Sequence, residues 1–201
     1  MLRHRRSWLL TVAGVVLFSA YAFGQSAADS ARIDDIRAEL RQLPSYGVFD
    51  FMTFNYDRGT VVLSGYVYQL GLKQDAERAV KRVAGVDTVK NAIEVLPASS
   101  LDDKLRWATF YRLYRNTFLS QYAIANGFVF GIEPVGDYAM HIIVQHGRIQ
   151  LLGVVNNQND KNVAGIVARG VPGAFGVEND LTVKGQVSPS ASAAPHSSQI
   201  G

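Results

Sequence analysis

From residue 59 onward the chain alternates. Val61, Leu63 and Val67 fall on one side of an extended strand, and Thr60, Val62 and Tyr66 fall on the other. At Leu72 the period lengthens. Leu72, Ala76, Val80 and Val83 then share one face of a helix, and Gly85 is placed to end it with a left-handed residue. Residues 86–95 return to a strand-forming run. Strand, helix and strand in so short a span make a crossover unit, and such crossovers are almost always right-handed. Upstream, Ile33, Ile36, Leu40 and Leu43 form the apolar face of a helix predicted over 30–43. Asp29 or Ser30 is its expected cap and Pro44 its stop. A strand over 51–56 then reaches the next one through the tight turn Asp57-Arg58-Gly59.

The pattern occurs twice. Gly59, Gly65, Gly85 and Asn91 return as Gly147, Gly153, Gly173 and Asn179, each 88 positions later (147 − 59 = 88). At that offset twelve identities fall in the 44 positions from 52 to 95 without a gap, so the chain is a tandem duplication. The predicted fold class is α+β. Two tandem small domains are expected, each ordered α-β-β-α-β, with a three-stranded sheet covered by helices on one face. The first is expected over 29–97 and the second over 101–185, joined by the short linker Pro97-Ala98-Ser99-Ser100.

The second copy opens differently, with a long helix predicted over 101–125 and a connection over 126–138. A strand over 140–144, the turn His146-Gly147, a strand over 149–155 and a helix over 160–169 follow. The expected core is Val61, Leu63, Val67, Val80, Val83 and Val89 in the first domain. In the second it is Ile149, Leu151, Val155, Val167, Val171 and Val177. Gly65 and Gly153 lie inside strand patterns and read as positions where the helix packs over the strand.

The stretches RGTVVLSGYV, DAERAVKR and VAGVDTVKNAIEV, repeated as HGRIQLLGVV, KNVAGIVAR and VPGAFGVENDLTV, resemble the BON family of small bacterial domains, named for osmotic-stress and nodulation proteins. The second copy departs from the family's preference for valine at Ala174 and Phe175. The resemblance implies a periplasmic, non-enzymatic domain of α-β-β-α-β order, often linked to phospholipid binding and envelope integrity.

The ends of the chain have other characters. Arg3, Arg5 and Arg6 precede an apolar run from Trp8 to Phe18, and small residues at Ala20, Ala22 and Gly24 offer cleavage sites. Residues 1–24 therefore read as a signal peptide, with a retained anchor as the alternative. Residues 186–201 are small, polar and proline-spaced, a composition expected to be disordered.

Charge changes the picture once the first 24 residues are set aside. They carry three arginines and no acid, so the formal charge of +3 falls to zero. Nucleic-acid affinity rests largely on neutralising phosphates, and a balanced chain lacks the excess for it. The absence of cysteine excludes disulfides, thiolate metal sites and a lipidated cysteine.

Candidate chemistry is sparse. His141 and His146, five residues apart, fit neither one helical face nor alternate strand positions, and read as a strand histidine and a turn histidine. No serine stands in a triad arrangement, and Gly170, Gly173 and Gly176 follow a helix where a phosphate loop would precede one. No catalytic residue, metal or cofactor is expected. One stretch exceeds what a core needs. Trp107, Tyr111, Tyr114, Phe118 and Tyr122 share one helical stripe, with Arg112 and Arg115 beside it. The stripe is either the face packed on the sheet or a membrane-facing surface. The intermediate expectation puts Tyr114 and Phe118 inward, and Trp107, Tyr111, Arg112 and Arg115 at a lipid-binding rim. The function expected is periplasmic association with phospholipid surfaces in envelope maintenance or osmotic-stress protection. The alternative is docking of an envelope protein partner without lipid.

Overall fold

The computed structural model describes residues 27–123 and 138–185; the predicted signal segment, the tail and most of the 126–138 connection lie outside them. Helix α1 covers 27–41. It is followed by β1 (Phe51–Asp57), β2 (Thr60–Val67), α2 (Leu70–Lys81) and β3 (Thr88–Val95). The second unit comprises α3 (Ser100–Tyr114), a 3-10 turn (Ser120–Tyr122), β4 (Met140–Gln145) and β5 (Arg148–Val155). It ends with α4 (Gln158–Arg169), β6 (Gly176–Asn179) and β7 (Thr182–Val183). In each sheet the second strand is central, antiparallel to the hairpin strand before it and parallel to the strand after the helix. The last strand of the second unit is broken at Asp180-Leu181, so β6 and β7 together occupy the place of β3.

The duplication extends to individual atoms. Met52 pairs with Gly65 as Met140 pairs with Gly153. The Asn91 amide donates to the Lys73 carbonyl at 2.9 Å, and Asn179 donates to Lys161 at 2.7 Å. Both hairpins turn on two residues of positive φ, Arg58-Gly59 and His146-Gly147, the geometry whose twist matches paired strands. Gly65 and Gly153 adopt φ of 117° and 118°. A Cβ there would strike the carbonyl oxygen of Phe51 or of Ala139 on the neighbouring strand. These glycines thus permit close backbone approach between strands, and helix packing is not their role.

Burial follows the alternation. Val61, Leu63, Val67, Val80 and Val83 are buried against Leu72, Ala76 and Ile36, while Val89 is half-buried at the edge of that core. Ile149, Leu151, Val155 and Val171 are buried in the second core, and Val167 and Val177 are half-buried at its margin. Two helix expectations need correction. Asp29 and Ser30 lie within α1, so neither caps it. The helix predicted over 101–125 stops at Tyr114. Asn116 ends it: its side chain accepts from the Phe118 amide, and its carbonyl accepts from Leu119 and Ser120. Asparagine competes with helical hydrogen bonding in this way, and the turn returns the fully buried Leu119 to the core.

The two units are closely joined. Val48 and Phe49, from the loop between α1 and β1, are buried in the core of the second unit. The Ile142 amide on β4 donates to the Val48 carbonyl at 2.8 Å. Phe49 sits edge-on to Trp107 and Phe110 of α3, with centroids 5.4 and 6.2 Å away. Tyr46 and Phe51 cover His141 on the other face of β4. Strand β4, first in its sheet order, is therefore buried on both faces.

Candidate functional site

Helix α3 carries the stripe singled out from sequence. Ser99 caps it by accepting from the Asp102 amide. Asp102, almost fully buried, then accepts from the His146 and Gly147 amides at 3.0 and 2.7 Å. This carboxylate ties the helix start to the β4–β5 turn, and its charge suits a helix N-terminus. One turn on, Arg106 is 1% exposed. Its guanidinium donates to Asp103 at 2.5 Å and to the Val144 carbonyl at 2.6 Å, and lies 4.9 Å from the ring centroid of Tyr68 in the first unit. Tyr68 in turn donates to Asp103 at 3.1 Å. A buried charge so held is a seam between the repeats.

The rim residues divide. Arg112 and Arg115 are exposed, but Trp107 and Tyr111 are half-buried. Trp107 packs on Phe49, and the Tyr111 ring stacks on Trp107 at 5.7 Å, with the Arg115 guanidinium over its outer face at 4.9 Å. Tyr114 is inward as expected, donating to the Met140 carbonyl at 2.6 Å, and burial pushes its phenol up. Phe118, expected inward, is 65% exposed, because the helix has ended before it. The surface at this end of α3 is therefore Arg112, Arg115 and Phe118, and the Trp107–Tyr111 pair is the platform beneath.

The histidines are a strand residue and a turn residue. His141 is buried, its Nδ1 3.2 Å from the Gly47 carbonyl and its Nε2 3.4 Å from the Tyr46 hydroxyl. His146 sits at the positive-φ hairpin position. Among the described residues no three His, Cys, Asp or Glu side chains could hold a metal ion together. Nearby, burial pushes the Tyr66 phenol up, with added push from Glu94 and from Glu178 of the second unit.

A second feature escaped the sequence reading. A cleft of about 410 Å³ lies between α1 and β1, lined by Ile33, Arg37, Leu40 and Arg41 from the helix and Met52, Phe54 and Tyr56 from the strand. The alternation of Met52, Phe54 and Tyr56, and the i, i+4 spacing of Arg37 and Arg41, were both readable. What hid the cleft is that each pattern also describes an ordinary packed pair.

Fold and surface thus define a protein of two duplicated α-β-β-α-β units fused through a shared seam. The BON domain model matches residues 28–97 and 134–185, and the chain belongs to the BON family. No curated protein matches it significantly. Among solved structures it is similar to the C-terminal domain of CdsD, a structural protein of the type III secretion system of Chlamydia trachomatis. That likeness has 15% identity over 75% of this chain and 96% of that one, with a TM-score of 0.26. A second CdsD structure matches at 16% identity over 75% and 91% of the two chains, with a TM-score of 0.25. Likeness at that level carries no functional argument. Among the described residues, no helix is long and apolar enough to cross a membrane.

Proposed function

We propose that this chain is a periplasmic, non-enzymatic envelope protein that associates with anionic phospholipid surfaces through the C-terminal end of α3. The observation that carries the reading is the cluster of exposed Arg112, Arg115 and Phe118, with Arg115 braced over the Tyr111 ring. Export rests on the basic and apolar segments of residues 1–24, and envelope maintenance or osmotic-stress protection is the role the family suggests. Each basic residue near an anionic surface contributes about 1 kcal/mol. Salt screens that attraction over about 8 Å at physiological strength. Two arginines and one shallow aromatic therefore give a weak, salt-sensitive, peripheral attachment.

Co-sedimentation with phosphatidylglycerol-containing vesicles tests this. Arg112→Glu combined with Arg115→Glu should lower binding to those vesicles, with phosphatidylcholine vesicles as the uncharged control. Exposed charges at a helix end stabilise little, so the fold should survive. If the double variant sediments as well as the parent, the lipid assignment is wrong. A second reading, docking of an envelope protein, is favoured by the half-burial of Trp107 and Tyr111, which removes apolar surface from the lipid-facing rim.

A further inference from the structure

The seam between the repeats shows how one helix–strand cleft of this fold is filled. In the second unit, Phe49 enters between α3 and β4, and the Val48 carbonyl takes the outward N–H of Ile142 at the sheet edge. A short segment with an apolar pair thus caps an edge strand by a backbone hydrogen bond and a buried aromatic ring. The offset of 88 makes Phe54 the counterpart of Ile142 (54 + 88 = 142). The registers agree, since Phe54 pairs with Leu63 as Ile142 pairs with Leu151. The Phe54 N–H therefore points away from β2 along the open edge, and no backbone or side-chain acceptor among the described residues takes it. It opens onto the cleft of about 410 Å³ between α1 and β1. That size lies within the range of roughly 300–1,000 Å³ found for ligand clefts.

We propose that the α1–β1 cleft docks an extended segment of a partner protein, which adds to the edge of β1 and carries a bulky apolar pair and a carboxylate. Backbone pairing at an exposed sheet edge is a recurring mode of peptide recognition. The apolar pair matches the half-buried Met52, Phe54 and Tyr56 and repeats what Val48 and Phe49 do in the other unit. The carboxylate follows from charge: the ionic side chains lining the cleft are Arg37 and Arg41, both basic. Both arginines already have partners, Arg37 in an exposed pair with Asp34 at 2.5 Å, and an incoming carboxylate exchanges with such exposed contacts at little cost. The cleft also adjoins the seam, since Tyr46 lines it and reaches towards His141. The proposal deepens the docking reading and is independent of lipid contact at α3.

The probe is a fluorescein-labelled peptide of the chain's own residues 44–51, PSYGVFDF, which holds the apolar pair and the acid. Saturable anisotropy is expected with the full chain, together with slowed hydrogen exchange at the Phe54 amide. A peptide with serine in place of both Val48 and Phe49 should not bind. Arg37→Glu combined with Arg41→Glu should weaken binding about tenfold while leaving the circular dichroism unchanged. Phe54→Pro, which removes the outward donor together with the ring, should abolish binding, and Phe54→Leu, which keeps the donor and an apolar side chain, should retain it. The arginine variant keeps the test valid if the proline protein misfolds. Binding that leaves Phe54 exchange unaltered would overturn the proposal, as would absence of binding. Slowed exchange at residues 52–56 with phosphatidylglycerol vesicles and not with the peptide would overturn it too, by making the cleft a lipid site. Failure of the α3 vesicle test would leave this result untouched, so the two can fail separately.

Discussion

Phe49→Ala is the most informative single perturbation of the seam. Phe49 belongs to the first repeat by sequence, yet its 4% exposed side chain is buried in the core of the second. A phenylalanine buries about 200 Å². At about 25 cal/mol per Å² this sets an upper figure of about 5 kcal/mol. Measured Phe→Ala changes in cores cost about 3–5 kcal/mol, and the site cannot collapse easily because rigid rings surround it. Tyr68, Trp107 and Phe110 all meet Phe49 edge-on, and each loses that contact. We expect a loss of about 3 kcal/mol or more, a large share of the stability of a domain this size. Urea denaturation followed through Trp107 reports it directly, because Trp107 is the ring packed on Phe49, and the other tryptophan, Trp8, can be replaced by phenylalanine so that Trp107 alone is read. Hydrogen exchange should quicken at Ile142 and along β4, while β2 and β3 keep their protection. A loss under about 1 kcal/mol, or one confined to the first repeat, would refute the view that the first unit completes the second core.

Gly65→Ala and Gly153→Ala should each destabilise by about 2–4 kcal/mol, since both combine a positive φ with a carbonyl in the space of the new Cβ. Matched losses in chemical denaturation would support atomic equivalence of the repeats, and a neutral Gly153→Ala would count against it. Glu77 accepts from Lys81 and Asn91, which hold its carboxyl below the ordinary 4.5. A depressed folded value gives stability that is present above the ordinary value and is lost as pH falls through the lower one. Glu77→Gln should flatten that acid limb in urea midpoints measured against pH. An unchanged limb would show that the contact is not maintained in solution.

Much of each unit was determined by the sequence alone. Val61, Leu63 and Val67 declare their face because strand periodicity is local, and Leu72, Ala76 and Val80 declare theirs because helical periodicity is too. Gly59 and Gly147 declare the hairpins, because the positive φ they adopt is open mainly to glycine. The duplication followed from those same positions and needed no coordinates. What only the tertiary structure decided concerns contacts between residues distant in the chain. Val48 and Phe49 look like loop residues after Pro44, and nothing nearby reveals that their partners lie on β4 and α3. The end of α3 at Tyr114 is of the same kind. Burial of Leu119 and Tyr122, with Tyr122 donating to Asp160 at 2.5 Å, outweighs continuation of the helix. Phe118 is exposed for that reason, and Trp107 and Tyr111 are half-buried because Phe49 of the other repeat packs on Trp107: a helical stripe says which residues share a side only while the helix lasts, and which side is covered depends on the other repeat.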